Sequence, residues 1–183
     1  MWPFGKKENK SEEIPPFKGQ INQPCYDKYG RFLGWYSRSV ASSLFVFCKD
    51  KDGDWCVLGQ ERGKDALDYQ GYWNCSCGYL DFNESTKECA MRELKEECGI
   101  ELSDDEVSFI DFEDKPSANR QNVTFHYIAV IKDKTTKDFK FSKELNEGKE
   151  VGDIKWIKLT DVTNYKWAFG HCEKIILYSE AIN

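Results

Sequence analysis

The chain has 183 residues, enough for one domain with a sizeable core and too few for two ordinary ones. It is acidic, with 26 Lys and Arg against 32 Asp and Glu, a formal net charge of −6, so no bulk positive field exists to hold extended nucleic acid non-specifically. Hydrophobic residues make up 40% and aromatics 15%, which excludes wholesale disorder. The longest apolar run, residues 44–48, is a strand's length and far short of the roughly 18 residues that cross a bilayer, so no membrane partner is expected.

In chain order, residues 1–20 are polar, carry Pro15-Pro16 and read as a tail or edge segment. The organisation expected is an N-terminal extension over 1–37, part tail or edge strand, and a single domain over 38–183. Residues 39–48 alternate into an apolar run and predict a strand. The turn-rich stretch 49–54 then hands over to a returning strand at 55–58. A Gly-, Asp- and Tyr-rich loop over 61–72 leads to a short segment at 73–77. The clearest helix is predicted over about 85–98, introduced by Ser85-Thr-Lys-Glu88, a capping-box pattern. Strands follow at 107–112, 123–131 and 154–159, and a closing helix lies within about 161–180. Strands before and after a central helix, with a second helix last, predict an α/β fold with a mixed sheet between helices.

Eight cysteines are even in number, yet they sit in strand-like runs (Cys48, Cys56) or on the helix (Cys89, Cys98), where a small hydrophobe suffices. No apolar leader opens the chain, so reduced thiols and a cytoplasmic location are expected. There is no Cys-x-x-Cys pair for a structural zinc site.

The chemistry concentrates in residues 78–106, which hold ten acids and three bases, while the rest of the chain is nearly neutral. Glu93, Glu96 and Glu97 are spaced i, i+3, i+4 and fall on one arc of the helix, with Ala90, Leu94 and Cys98 on the neighbouring arc. Three carboxylates so placed repel one another by a few tenths of a kcal/mol per pair. Hard oxygen ligands at this spacing suit Mg²⁺ or Mn²⁺. Taken alone, the helix supports a solvated acidic face equally well.

The surrounding positions extend the pattern. Gly78, Glu84, Arg92, Glu93, Leu94, Glu96, Glu97, Gly99 and Ile100 match every fixed position of Gly-x5-Glu-x7-Arg-Glu-U-x-Glu-Glu-x-Gly-U, where U is bulky and aliphatic. This is the Nudix box, and the chain resembles Nudix hydrolases over about residues 38–180. The resemblance implies the Nudix fold, an α/β/α sandwich. It also implies hydrolysis of the pyrophosphate bond in a nucleoside diphosphate linked to another moiety (the ADP-ribose, NADH, dinucleoside polyphosphate or nucleoside triphosphate type). It assigns Glu93, Glu96 and Glu97 as ligands of Mg²⁺ or Mn²⁺, helped by the carbonyl near Cys77 or Gly78. Glu84 and Arg92 would pair to hold the loop against the helix. Gly99 would end the helix in a left-handed conformation.

The family often draws a further carboxylate from the loop before the last strand. Glu150, six residues ahead of Trp156, is the first choice and Glu147 the second. The general base stays open among Glu97, Glu93 and Glu150. Arg62, Arg38 and Arg120 are the candidate phosphate or ribose contacts, Tyr72 and Trp73 candidate stacking partners. Homodimers are frequent in the family, and residues 1–37 are a candidate interface.

Two other readings compete. The run Trp73-Asn-Cys-Ser-Cys-Gly-Tyr79 resembles isopentenyl diphosphate isomerase, which shares the fold and uses a cysteine at the position of Cys77. That enzyme needs a histidine-rich metal site, and this chain has only His126 and His171, with Tyr79 where the isomerase has a ligand histidine. A non-catalytic, nucleotide-sensing Nudix domain is the third reading; such domains commonly lose box carboxylates, and here all are present.

Overall fold

A computed structural model describes residues 21–116, 120–142 and 150–182 and divides the chain into two compact units. Glu147 lies outside the described residues. The smaller unit spans residues 1–38 and 115–121. Within it, β1 (Gln23–Tyr26) and β2 (Phe32–Tyr36) form an antiparallel two-stranded sheet of their own. Asp27 builds the turn: its Oδ1 accepts from the Tyr29 and Arg31 amides at 2.8 and 2.9 Å, and Gly30 takes a left-handed φ of 77°. Residues 23–36 thus form a hairpin within the 1–37 extension that the sequence read as part tail or edge strand. Both strands lack a long apolar run, which is why the pattern did not show them.

The larger unit, residues 39–114 and 122–183, is built on one mixed sheet. Its strands are β3 (Val40–Lys49), β4 (Trp55–Arg62), β5 (Trp73–Asn74), β6 (Ser76–Tyr79), β7 (Val107–Glu113), β8 (Val123–Thr135) and β9 (Val151–Lys158). The spine is β3. It runs parallel to β8 along its whole length, and a parallel pair requires a long crossover, here the segment carrying helix α1 (Thr86–Cys98). On its other edge β3 changes partner. Residues Ala41–Leu44 pair with β6, while Phe47–Lys49 pair with β4. The sheet therefore forks, with β5 on β4 and β6 on β3 filling the gap.

Alternation along β3 sorts the core onto two faces. Leu44, Val46 and Cys48 join Ala90, Leu94 and Cys98 of α1 in one apolar cluster. Phe45 and Phe47 join Ile175 and Tyr178 of α2 (His171–Ser179) in the other. This is the helix–sheet–helix layering expected from the sequence. Three details differ. Strand β4 runs on through Arg62, because β9 pairs with it as far as that residue. The short segment at 73–77 resolves into β5 and the start of β6, with Cys75 between them. The closing helix splits into a 3₁₀ segment, Leu159–Asn164, and α2, separated by the left-handed residues Phe169 and Gly170. All eight cysteines are free thiols, and no described helix is long and apolar enough to cross a membrane.

Candidate active site

Helix α1 begins where the sequence placed it. Ser85 Oγ accepts from the Glu88 amide at 3.2 Å, and Glu88 Oε2 accepts from the Ser85 amide at 2.7 Å, so two otherwise orphaned donors are satisfied reciprocally. The helix ends at Gly99, φ 72°, whose amide donates to Lys95 O. A Cβ there would sit 2.7 Å from the Ser142 Cβ, so glycine is demanded by both backbone and space.

Arg92 organises the acidic face. Its Nε and Nη2 grip the two oxygens of Glu84 at 2.9 and 2.8 Å, a fork-to-fork pair. Its Nη1 reaches Glu93 Oε1 at 2.8 Å and Glu96 Oε2 at 3.0 Å, and Nη2 also donates to the Tyr79 carbonyl at 3.2 Å. The Arg92 hydrogen bonds pull the Glu84 carboxyl down to about 2, and those same bonds to Glu84 hold the guanidinium charged. The loop ahead of the helix is thus stapled to it.

Glu97 is held from the strand side. Ser76 Oγ donates to its Oε2 at 2.7 Å and the Cys77 amide donates to the same oxygen at 3.2 Å. Burial, then the charge of Glu93, push the Glu97 carboxyl up to about 8. Burial also raises Glu93, whose carboxylate packs so closely on Gly78 that any Cβ at position 78 would collide with it. Glycine at the head of the box is therefore a matter of contact with a carboxylate. Around Glu97 lie polar side chains that the sequence reading gave no role. Gln60, Asn74 and Ser76 are almost wholly buried, Cys98 Sγ donates to Gln60 Oε1 at 3.2 Å, and Asn74 Nδ2 reaches Cys77 Sγ at 3.4 Å. The signal for them was available: polar residues inside strands that are otherwise core.

The structure brings Glu93 and Glu97 together beside β6 and turns Glu96 outward to Arg92. Among the described residues no three His, Cys, Asp or Glu side chains converge into a ready-made metal cage. The donor set nonetheless fits a hard dication. Two crowded carboxylates are raised by burial, with the charge of Glu93 adding to the rise at Glu97, and a bound positive charge would relieve both causes.

The other candidates make contacts of their own. Arg62 braces the 62–72 loop: its Nε donates to Asp68 O at 2.9 Å, its Nη2 to Asp68 Oδ1 at 2.6 Å, and its guanidinium lies over the Phe169 ring. Those donors are committed inside the protein. Arg38 and Arg120 belong to the smaller unit, where Arg38 Nε donates to the Gln121 carbonyl. Glu150 is exposed at the start of β9, its carbonyl accepting from the Gly63 amide at 2.6 Å. Trp73 is core and Tyr72 is exposed. Burial first, and then the Glu97 charge, push the Cys77 thiol up to about 12. Both histidines are core residues: His126 Nδ1 pairs with Tyr178 Oη at 2.7 Å, and His171 Nδ1 accepts from the Cys75 amide at 2.9 Å.

Comparison with known proteins agrees with this architecture. Residues 39–175 match the NUDIX domain family model. Among curated proteins, the chain is 27% identical over 148 residues to an isopentenyl-diphosphate Delta-isomerase of Shigella flexneri serotype 5b, covering 78% of this chain and 76% of that one. Among solved structures, the NUDIX domain of Shewanella oneidensis NrtR, complexed with ADP ribose, superposes with a TM-score of 0.64 at 20% identity, over 86% of this chain and 94% of that one. A bifunctional NMN adenylyltransferase/ADP ribose pyrophosphatase from Francisella tularensis, complexed with AMP and a Mn ion, superposes at 0.57 with 19% identity, over 80% of this chain and 42% of that one. With three quarters of its length matched by one family model, the chain belongs to the Nudix family.

Proposed function

We propose that this protein is a metal-dependent hydrolase that cleaves the pyrophosphate bond of a nucleoside diphosphate joined to another group. The observation that carries the reading is the pair Glu93 and Glu97. Both carboxylates are partly buried, crowded and directed at β6, with Arg92 holding the outer edge. Mg²⁺ or Mn²⁺ would be held by Glu93, Glu97 and Glu96 with the Gly78 carbonyl. Bound there, the ion supplies neutralisation of phosphate charge and polarisation of the attacked phosphorus. The chain's own residues do the rest. Ser76 Oγ and the Cys77 amide fix Glu97 Oε2, and the Glu84–Arg92 pair keeps the loop at Gly78 against the helix. Glu97 is our choice of general base ahead of Glu93 and Glu150. It sits among the polar groups of β5 and β6, whereas Arg92 occupies Glu93 and Glu150 lies at an exposed rim.

ADP-ribose is the first substrate to try, because two structural neighbours carry ADP-ribose in their names. The test is a screen of purified protein against ADP-ribose, NADH, dinucleoside polyphosphates and nucleoside triphosphates with Mg²⁺, reading phosphate monoester products. Hydrolysis that EDTA abolishes and Mg²⁺ or Mn²⁺ restores is the expected result. Turnover of none of these, with either metal, would overturn the reading.

A second reading has one specific observation behind it: Cys77 stands beside Glu97, and curated isomerases are relatives. Against it, His126 and His171 are committed to the core and Tyr79 is exposed where that enzyme has a ligand histidine. Cys77→Ser decides between them. Hydrolysis is expected to change less than about threefold, and no allylic isomerisation of isopentenyl diphosphate should be seen in either protein.

A further inference from the structure

The chain changes sheet partner at one residue. Asn74 pairs with Gln60 of β4, Ser76 pairs with Leu44 of β3, and Cys75 between them has no strand of its own. Its peptide groups are buried and must be satisfied by something other than a ladder. Side chains do it from both sides. The Cys75 amide donates to His171 Nδ1 at 2.9 Å, and the Cys75 carbonyl accepts from Asn74 Nδ2 at 2.9 Å. The backbone leads His171 there. Lys166 O accepts from the Trp73 amide and the Ala168 amide donates to Trp73 O, so 166–168 lies beside Trp73 like a short parallel strand. Phe169 and Gly170, at φ 59° and 71°, then turn the chain into α2, and His171 is its first residue. A non-glycine residue in that region is strained, and strain of this kind persists where surrounding structure fixes it. The ring is packed edge-on against Phe45 and Phe169, so its tilt is fixed as well.

We propose that His171 is a positioning residue for Glu97: by accepting the Cys75 amide at the strand crossing, it fixes the next two residues, whose Ser76 Oγ and Cys77 N–H hold the Glu97 carboxylate. The route is three consecutive residues, Cys75, Ser76 and Cys77, reaching from the α2 face of the sheet to the α1 face. It requires the neutral ring with Nδ1 unprotonated, because two donors facing each other cannot bond. The inference rests on reading Glu97 as a working carboxylate of the site.

The experiment compares His171→Asn, whose side-chain oxygen can stand near the place of Nδ1, with His171→Gln, which puts it near Nε2, and with His171→Leu. Three readouts are taken on the full chain: amide hydrogen exchange at Cys75 and Cys77, Mn²⁺ affinity, and kcat and KM for ADP-ribose. In His171→Leu and His171→Gln, exchange at both amides is expected to accelerate at least tenfold. Mn²⁺ affinity should fall about tenfold, and kcat should fall about 10- to 100-fold with KM within about twofold, the usual scale for groups that orient ligands. His171→Asn should recover all three to within about threefold of the native protein. Should the Leu variant not fold, the Asn–Gln pair decides. Native Mn²⁺ affinity and Cys77 exchange in the folded Gln variant, or an Asn variant as impaired as Gln, overturns the proposal. If the native protein hydrolyses nothing, the functional reading fails, while exchange and Mn²⁺ affinity still judge His171.

Discussion

Helices α1 and α2 cover opposite faces of the same sheet, yet they are specified in different ways. The first carries its own instructions: a reciprocal cap at Ser85 and Glu88, a glycine stop, and an arginine that locks its acidic face. The second begins on Gly170 with no side-chain cap and turns two polar side chains inward, His171 to the strand crossing and Tyr178 Oη to His126 and Asp111. His171, Lys174 and Tyr178 of α2 are satisfied within the protein. The polar groups of α1 are left with a surplus of negative charge at Glu93 and Glu97. The difference teaches what unbalanced charge requires: a helix whose local structure is secured by its own cap, stop and arginine.

The comparison breaks first at Glu97. Glu97→Gln should lower hydrolysis by at least 100-fold while raising the melting temperature of the metal-free protein near neutral pH. A carboxyl raised by burial in the folded state favours folding fully below its unfolded value of about 4.3. That contribution is lost as pH rises through the folded value of about 8. Metal-free native protein should thus lose stability between about pH 4.5 and 8, and the Gln variant should show a flatter profile. Equal slopes for the two in thermal melts would contradict the burial of charge.

A smaller effect tests the two faces as independent units. Leu94 and Ile175 are both fully buried, one in each cluster. Truncation of either to Ala should cost about 2–5 kcal/mol in denaturant unfolding. The double variant should equal the two single losses added together, within about 0.5 kcal/mol, since the sites share no partner. A larger coupling would mean that the sheet transmits packing strain between its faces. The smallest effect is at the cap: Ser85→Ala should cost about 1 kcal/mol, with kcat unchanged, because the cap secures the helix and does not touch the carboxylates.

What was legible in the sequence follows the same divide. The box helix was readable to within a residue because its signals are local: Ser85, the i, i+3, i+4 carboxylates and Gly99. The apolar runs of β3 and β8 were equally plain, β3 being buried on both faces and β8 buried on one and half-buried on the other. The bounds of α2 were not, because the left-handed turn at Phe169 and Gly170 follows a stretch bonded to Trp73 and lies under Arg62, partners about a hundred residues away in sequence. The same holds for Gln60, Asn74 and Ser76, whose meaning depends on the fork bringing β4, β5 and β6 around one carboxylate. The pairing of Arg62 with Asp68 was equally hidden, because nothing in the sequence shows that the 62–72 loop folds back to bring them together.

The fork at β3 has one more consequence. The 63–72 loop leaves β4 and returns through β5 to β4, while the strand that carries Ser76 and Cys77 keeps its own register on β3. Length or composition can therefore drift in that loop without shifting the register of the carboxylate-holding strand by a residue. The architecture separates a loop whose length can change from a strand whose register is fixed, and the boundary between them is the single peptide of Cys75.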